Sequence, residues 1–384
     1  MQKKTKKFSK FVNNQFDFIL CITVILLLAL GIIMVLSASA PSALSTTGNS
    51  YFYVKKQLIF AVAGIFVMLF LSKVDYRFYK KYYWQIYFLS WIILLLVLVP
   101  GLGYSVKGAT RWIRIGGYQF QPSELTKIGL IIFFAGYLSD HRNELYDFKK
   151  GFIKPICFLI PPIGILFFVQ NHLSVSLVIC IITIVIMFIA GCRLKHFAVV
   201  GIVGISLIIG IFGFLQVSGA GEGNFRLDRI STYFDPWADA QGTGYQTVQS
   251  LYAIGSGGMF GLGLGNSKQK YLYIPEPHND FIFSILAEEL GFAGCVIVII
   301  LFAIFIWRGI LIAMRATDMY GTLVAVGITT LIAVQAIINI AVVTATVPTT
   351  GMSLPFFSYG GTALLLLLAN VGILLNISRS SSKV

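Results

Sequence analysis

The chain has 384 residues, of which 57% are hydrophobic and 11% are charged. Soluble domains typically carry about 25% charged residues, so the composition excludes an ordinary soluble protein. The net charge of +14 could indicate a nucleic-acid partner, but the basic residues follow the pattern of membrane topology, so we expect no nucleic-acid binding.

Long apolar runs dominate the chain from end to end. A membrane span needs about 20 mostly apolar residues, and in lipid such a continuous run satisfies its backbone only as a helix. The sequence therefore predicts an all-α polytopic membrane protein, a single domain over residues 1–384. About ten transmembrane helices are expected, roughly over residues 17–38, 57–73, 83–100, 123–140, 153–170, 173–191, 196–217, 281–307, 320–343 and 358–378.

The distribution of positive charge predicts the orientation of these helices. If they alternate in direction, 19 of the 29 basic residues lie on the side that holds both termini. Positive residues mark the cytoplasmic side of a membrane. We therefore expect a multi-pass protein of the plasma membrane with cytoplasmic tails at 1–16 and 379–384. The large loop at 218–279, between helices 7 and 8, is expected to be extracytoplasmic.

The first apolar run has two interpretations. "VLSASA" after it resembles a signal-peptide cleavage site, but the run is longer than the 7–15 residues typical of a signal sequence, which favours a retained helix. The five cysteines show no metal-ligand spacing and fall in or beside predicted helices. Neither a disulfide framework nor a zinc site is expected from them.

The loop at 101–122 carries Arg111, Trp112 and Arg114 on the predicted outer side. Guanidinium groups bind phosphate through two hydrogen bonds, so Arg111 is a candidate substrate-binding residue. On the residues alone, an Arg–Trp anchor at the membrane interface is the more probable interpretation.

"FQPSELTK" at 120–127 predicts the start of a helix, which Pro122 opens and Ser123 can cap. Glu124 and Lys127 share one helix face at a spacing of three residues. Ionisable residues in an apolar run usually face a cavity or each other. A structural ion pair is the favoured interpretation, and beside a wet cavity the same pair would also shape the field there.

The long loop contains a moderately apolar stretch, Tyr245 to Leu264, that we expect to lie on or dip into the membrane. Its glycine-rich run, 255–265, lacks the Gly-Lys-Ser/Thr ending of a P-loop. Close backbone packing is therefore the favoured role of these glycines.

"YIPEPHNDFIFSILAEELGF" at 273–292 concentrates acidic residues in an otherwise apolar chain. In one interpretation Asp280 caps a helix, while Glu288 and Glu289 are paired inside the bundle. In the other, Asp280 forms a functional site with Glu276 and His278, which capping leaves unexplained. The two interpretations are equally supported by the residues.

"VPTTGMSLPFFSYGGTALL" at 347–365 places prolines and glycines directly before the last predicted helix. This composition indicates a bent or re-entrant segment that lines a cavity, or a hinge. Ser358 in this segment is a candidate substrate-binding hydroxyl.

Several motifs in this order resemble the SEDS family of cell-wall polymerases, the FtsW and RodA group. The resemblance covers nearly the whole chain and is closer to the division or sporulation type than to the elongation type. It rests on "SASA", "GATRWIRIGGYQFQPSELTK", "DPWADAQGTGYQTVQSLYAIGSGGMFGLGLG", "YIPEPHNDFIFSILAEELG" and "PTTGMSLPFFSYGGTALL".

The resemblance implies a peptidoglycan glycosyltransferase that polymerises lipid II, with Asp280 as the essential carboxylate. It also implies roles for Arg111, Glu124 and Lys127. Asn279 stands where many members have Thr, and "QNHLSVS" places His172 where others often carry an acid. A class B penicillin-binding protein, other divisome or elongasome proteins and membrane lipid are the implied partners.

The chemistry expected of such a site follows from the leaving group. Asp280 would act as general base on a sugar 4-hydroxyl, and undecaprenyl diphosphate would leave. A diphosphate needs cationic stabilisation, which Arg111, Lys127 or a divalent cation such as Mg²⁺ or Mn²⁺ could provide. Two other functions remain open: a flippase for lipid-linked precursor, and a non-enzymatic division scaffold.

Overall fold

A computed structural model of the chain describes residues 16–106, 109–115, 118–199, 201, 232–271 and 273–380. Within these ranges, seven helices are long and apolar enough to cross a membrane. The helices are α1 (Phe18–Thr47), α2 (Phe52–Leu71), α3 (Arg77–Lys81), α4 (Tyr83–Leu95), α5 (Pro122–Asp140), α6 (Lys154–Gly164), α7 (Leu173–Ala190), α8 (Tyr245–Ser256), α9 (Ile282–Arg315), α10 (Met319–Val343) and α11 (Gly361–Ser380).

Short helical segments of other types extend two of these helices. A 3₁₀ turn, Leu96–Leu98, continues α4, and π-helical segments, Phe148–Ile153 and Ile165–Val169, flank α6 on both sides. The 3₁₀ turn Arg142–Glu144 follows α5. With its flanking segments, α6 becomes long enough to span the membrane.

The predicted class, a helical multi-pass membrane protein, is confirmed. Nine of the ten predicted spans coincide with helices, while most of the span predicted at 196–217 lies outside the described residues. The first two helices are shifted relative to the prediction, because α1 continues to Thr47 and α2 begins at Phe52. The first helix packs along α9 and α2, as expected of a retained helix.

A small antiparallel sheet follows α4, in a stretch for which the sequence analysis predicted only a loop. Its strands are β1 (Gly103–Val106), β2 (Ala109–Ile115) and β3 (Tyr118–Phe120), in the order β1-β2-β3. Tyr104 pairs with Trp112, and Arg114 pairs with Gln119. The sheet carries Arg111 on its central strand and leads directly into α5.

The helix α9 is interrupted at Gly291, whose φ of 66° and ψ of −166° lie outside the helical range. The glycine-rich segment after α8 supplies hydrogen bonds on both sides of the break. The amides of Leu262 and Gly263 donate to the carbonyls of Glu288 and Glu289 at 3.0 Å, and those of Phe292 and Ala293 donate to Gly258 and Met259 at 2.9 and 3.0 Å.

These crossed hydrogen bonds require glycine at the contact. A Cβ at Gly261 would lie against the Glu289 carbonyl, and one at Gly257 against the Ala287 carbonyl. The predicted close backbone packing of the 255–265 run is confirmed. Because the bonds replace those that the helix loses at Gly291, the first part of α9 is fixed to the segment that packs on it.

The buried centre of the bundle is formed by α5 and α10, with α7 and α9 packed on α10 and α11 packed on α2. Two ion pairs mark one end of the bundle. Arg308 Nη2 lies 2.5 Å from Asp17 Oδ2, and Arg77 Nε lies 3.0 Å from Asp318 Oδ2. The sheet and the start of α9 lie at the other end.

Candidate functional site

Asp280 lies directly before α9, at the end of a segment of bends and turns over 273–281, and is half-buried. The extended approach expected from Pro275 and Pro277 is not observed, because the chain turns at Glu276. An ideal Cβ placed on Gly351 would lie 3.4 Å from Asp280 Oδ2, so the carboxylate faces the segment between α10 and α11. The helix begins at Ile282 after Phe281, which occupies the N-cap position without a side-chain hydrogen bond. The interpretation of Asp280 as a helix cap is therefore wrong.

Two polar side chains hold the backbone on either side of this carboxylate. Asn339 of α10 donates from Nδ2 to the Asp280 carbonyl at 2.7 Å and to the Met352 carbonyl at 2.6 Å. Ser358 donates from Oγ to the Asn279 carbonyl at 2.7 Å and accepts from the Leu354 amide. Ser358 thus lies beside Asp280, while Asn339 was not singled out, although a lone asparagine in an apolar run signals a specific contact.

His278 is buried between aromatic rings. Its centroid lies 4.4 Å from that of Tyr53 and 5.7 Å from that of Tyr359, whose amide donates to the His278 carbonyl. Burial lowers the pKa of His278 to about 4, although Glu276 opposes the shift. The neutral ring packs against both tyrosines and supports the turn at 276–281, which we call the mouth of α9.

Glu276 is exposed and has a positive φ of 50°, in the turn before α9. Its Oε2 accepts a hydrogen bond from Asn279 Nδ2 at 3.1 Å. Glu276 and Asp280 therefore lie at opposite ends of one short turn. The side-chain hydrogen bond from Asn279 to Glu276 closes this turn.

Glu124 and Lys127 form the predicted ion pair, with Nζ and Oε1 2.8 Å apart. The Lys127 side chain is 1% exposed and that of Glu124 is 17% exposed. Pro122 opens the helix as predicted, but the N-cap is Gln121, and Ser123 Oγ has no hydrogen-bond partner among the described residues. The predicted Ser123 cap is therefore wrong.

Arg111 connects the sheet to the α6–α7 junction. Its Nε donates to the Gln170 carbonyl at 3.0 Å and its Nη2 donates to the Asn171 carbonyl at 2.6 Å. The Nε2 atom of the next residue, His172, accepts from the side-chain Nε2 of Gln121 at 2.9 Å. Burial, together with the charges of Arg111 and Lys127, lowers the pKa of His172 to about 3, so its ring is neutral.

These residues form two groups at one end of the bundle: an acidic group of Glu276, His278, Asp280 and Ser358, and a cationic group of Arg111, Glu124, Lys127 and His172. Contacts link the two groups. Ser174 Oγ, two residues after His172, donates to the Thr350 carbonyl at 2.6 Å, and the next residue, Gly351, faces Asp280. The predicted site residues are therefore brought to one end of the molecule.

Glu288 and Glu289 lie deeper in α9 and are fully buried, as the sequence predicted. Glu289 forms an ion pair with Lys270 at 2.8 Å and accepts from Ser37 Oγ at 2.6 Å. Glu288 accepts from Ser267 Oγ and from the Lys268 amide. These acids anchor the loop at 267–270 to α1 and α9. Lys270, which the sequence analysis did not single out, supplies the positive charge that pairs with Glu289.

A divalent cation was one candidate for stabilising a leaving group. Within the described ranges, no cluster of three or more His, Cys, Asp or Glu side chains could hold a metal ion. The chemistry below is therefore derived for the side chains of the described residues.

The chain resembles known proteins over nearly its full length. The sequence model of the FtsW, RodA and SpoVE family, described as "Cell cycle protein", matches residues 17–383. Stage V sporulation protein E of Bacillus subtilis (strain 168) is 44% identical over 371 residues, which cover 95% of this chain and 97% of that protein. The "Probable peptidoglycan glycosyltransferase FtsW" of Trichlorobacter lovleyi is 41% identical, covering 95% and 93%.

Solved structures share the fold. One chain, from a structure described as "Structural coordination of polymerization and crosslinking by a peptidoglycan synthase complex", matches with a TM-score of 0.78 at 26% identity, covering 95% of this chain and 98% of that one. The rod shape determining protein RodA of Thermus thermophilus matches with a TM-score of 0.69 at 25% identity, covering 97% and 99%. Together with the family match, these similarities show that the chain belongs to the FtsW/RodA/SpoVE family, as its motifs indicated.

Proposed function

We propose that the chain is a peptidoglycan glycosyltransferase that polymerises lipid II, with Asp280 as the general base. Curated relatives named as probable peptidoglycan glycosyltransferases support the reaction class. The observation that carries the residue assignment is the half-buried Asp280 carboxylate, held at the mouth of α9 at the same end of the bundle as Arg111 and Lys127. A carboxylate in such a mouth can meet both lipid and water.

The reaction joins two sugars with one proton transfer. The 4-hydroxyl of the acceptor GlcNAc attacks the anomeric carbon of the donor, and Asp280 takes the hydroxyl proton. A new carbon–oxygen bond forms at that carbon while its bond to the diphosphate breaks, and undecaprenyl diphosphate leaves with the electron pair. The leaving group needs no proton, so one carboxylate suffices, unlike the paired carboxylates of glycosidases.

The cationic group supports the departure of the diphosphate. Arg111 and Lys127 each carry one positive charge, Glu124 offsets one of them, and the neutral His172 adds none. The positive charges of Arg111 and Lys127 would stabilise the negative charge that develops on the leaving group. Glu276, His278 and Ser358 contribute to substrate binding by shaping the mouth of α9. Their contacts hold the turn before Asp280 in place.

We assign this end of the bundle to the extracytoplasmic side. The support is the charge pattern of the sequence: if the helices alternate in direction, 19 of the 29 basic residues lie on the other side with both termini, and positive residues mark the cytoplasmic side. Reporter fusions at the two termini and in the 232–244 segment test this orientation. The reverse pattern of reporter activity would exclude it.

We further propose a crosslinking partner of the class B penicillin-binding type and a role in division or sporulation. The support is the structural neighbour from a complex that coordinates polymerisation and crosslinking, and the curated relatives named for sporulation and as FtsW. Other divisome or elongasome proteins would act through this complex. Co-purification of the chain with each such transpeptidase of its own cell tests the assignment.

The central experiment compares Asp280→Asn with Asp235→Asn, an exposed aspartate of the outer loop. Purified protein is incubated with lipid II in detergent, and glycan length is measured. We expect Asp280→Asn to lower the rate about 100-fold to 10,000-fold, the usual contribution of a general base, while Asp235→Asn keeps the wild-type rate. Polymer formation in detergent also separates polymerase from flippase, since transport cannot occur there. Wild-type polymerisation by Asp280→Asn would reject the proposal.

A further inference from the structure

The residue Asn339 stands alone as a polar side chain in the middle of the apolar sequence "AIINIAVV" of α10. Its side chain is 0% exposed. Both recorded hydrogen bonds of its Nδ2 are short, 2.7 Å to the Asp280 carbonyl and 2.6 Å to the Met352 carbonyl. Its two amide hydrogens therefore donate to the two segments that flank the Asp280 carboxylate, one ending at Asp280 and the other containing Met352.

The segment that contains Met352 also lies beside the carboxylate of Asp280. Met352 follows Gly351, and Gly351 is the residue that faces Asp280 Oδ2. Fixing the Asp280 and Met352 carbonyls to one carboxamide fixes the distance between the Asp280 backbone and the segment against which its carboxylate lies. Ser358 joins the same two segments one residue earlier, through its hydrogen bond to the Asn279 carbonyl. Its other hydrogen bond is from the Leu354 amide.

The side chain at position 339 must donate two hydrogen bonds from one point, to the Asp280 and Met352 carbonyls. Only a group with two donors on one nitrogen can serve two carbonyls from one point, and an asparagine amide has this property. A leucine has the same branching and the same number of heavy atoms but no donor, so it would leave both carbonyls without this partner. The carbonyls would then be free to separate, and Asp280 would move relative to Gly351.

We infer that Asn339 is a positioning residue for polymerisation, because it sets where the Asp280 carboxylate lies. The inference rests on the proposed function of Asp280. A displacement of about 1 Å at a reacting group lowers a rate about 100-fold. The effect should fall on turnover and not on lipid II binding, since Asn339 is buried away from the surface of the mouth.

The chain offers a matched control in Asn376 of α11. It is also buried, and its side chain also makes two hydrogen bonds to backbone, from Nδ2 to the Ser72 carbonyl at 3.0 Å and to Oδ1 from the Tyr76 amide at 2.9 Å. It lies at the opposite end of the bundle. Replacing it by leucine removes as many hydrogen bonds as replacing Asn339, far from Asp280.

The test compares Asn339→Leu, Asn339→Ser, Asn376→Leu and Asp280→Asn as purified full-length chains. Lipid II polymerisation is measured against substrate concentration and scaled to the folded fraction from gel filtration. We expect Asn339→Leu to lower kcat about 30-fold to 100-fold with less than about a threefold change in KM. Asn339→Ser, whose hydroxyl is one bond shorter than the asparagine amide, also loses both hydrogen bonds and should fall by a similar amount. Asn376→Leu should keep kcat within about threefold.

Equal kcat per folded protein for Asn339→Leu and Asn376→Leu would overturn the inference, since the asparagine would then contribute to stability alone. A rise in KM of Asn339→Leu with unchanged kcat would also overturn the inference, because the asparagine would then act on substrate binding. Should Asn339→Leu fail to fold, Asn339→Ser decides the question by the same criteria. An active Asp280→Asn would instead reject the proposed function, so the two failures are distinguishable.

Discussion

The two acidic groups of the α9 region differ although only eight residues separate them. Glu288 and Glu289 are fully buried and saturated: Ser267, the Lys268 amide, Lys270 and Ser37 all contribute hydrogen bonds or charge. Asp280 is half-buried at the mouth of the helix, and the recorded hydrogen bonds there hold its backbone. A fully buried carboxylate cannot reach a substrate, whereas a half-buried one keeps part of its surface accessible.

The comparison separates a stability function from a catalytic one. The deeper acids fix the outer loop to α1 and α9, and so hold the frame in which Asp280 is presented. Substitutions in the deeper group should therefore act on folding first, and substitutions at Asp280 should act on turnover with little change in stability. The predictions below test this division.

The largest effect on stability is expected for Lys270→Met. It leaves the Glu289 carboxylate buried without a cation, with hydrogen bonds from Ser37 Oγ and the Ser267 amide, and breaking a buried ion pair from one side costs about 3–5 kcal/mol. The free energy of unfolding in detergent should fall by that amount, while Asp280→Asn changes it by less than about 1 kcal/mol.

A double variant, Lys270→Met with Glu289→Leu, is the control for this prediction. It removes both charges, so most of the lost stability should return. Equal unfolding midpoints for wild type and Lys270→Met would show that the ion pair does not hold the frame, and the division between the two acidic groups would no longer stand.

A smaller effect is expected where the glycine-rich segment crosses the break in α9. Gly261 and Gly265 have nearly the same backbone conformation, with φ of 79° and 84°. A Cβ at Gly261 would lie against the Glu289 carbonyl, while one at Gly265 meets nothing within 4 Å. Gly261→Ala should therefore cost about 2–3 kcal/mol from clash and strain, and Gly265→Ala about 1 kcal/mol from strain alone.

Thermal unfolding of the two variants in the same detergent measures this difference. Because both substitutions introduce the same backbone strain, the difference between them reports the contact with α9. Equal unfolding temperatures would mean that the segment does not clamp the break at Gly291.

Much of this architecture could be predicted from single residues and their neighbours. Apolar length placed nine helices, and Pro122 placed the start of α5. The composition of 255–265 predicted close packing of its glycines. The spacing of Glu124 and Lys127 predicted their ion pair. In each case the decisive interaction is local, or depends only on the solvent around the segment.

The remainder depends on partners distant in the chain. Ser37 and Glu289 are 252 residues apart, and Asn339 and Asp280 are 59 apart. Nothing in the sequence fixes such pairings. The small sheet was missed because the glycines of 101–122 indicated a loop, although "TRWIRI" alternates as a strand does. The Asp280 cap was wrong because Asn339 and Ser358, not a first turn, hold this segment.

The smallest effect concerns His172 and His278, which lie at the end of the bundle that holds Asp280. It tests whether these two rings are packed groups rather than reactive ones. Burial lowers the pKa of His172 to about 3 and that of His278 to about 4, from an ordinary value of 6.5. The unfolded chain thus binds protons on these rings near pH 6.5, and the folded chain binds them only near pH 3–4. Their contribution to stability is therefore complete above about pH 6.5 and is lost as the pH falls through 4.

Within that window each ring contributes at most about 1.4 kcal/mol per pH unit, so the unfolding temperature of the wild type should be lower at pH 5 than at pH 7.5. His278→Phe keeps a ring against Tyr53 and removes one of the two protonation sites. Its unfolding temperature should fall less on acidification than that of the wild type. An identical acid-induced shift in His278→Phe and wild type would show that His278 is not held neutral by its packing, and that the mouth of α9 is open to water at this ring.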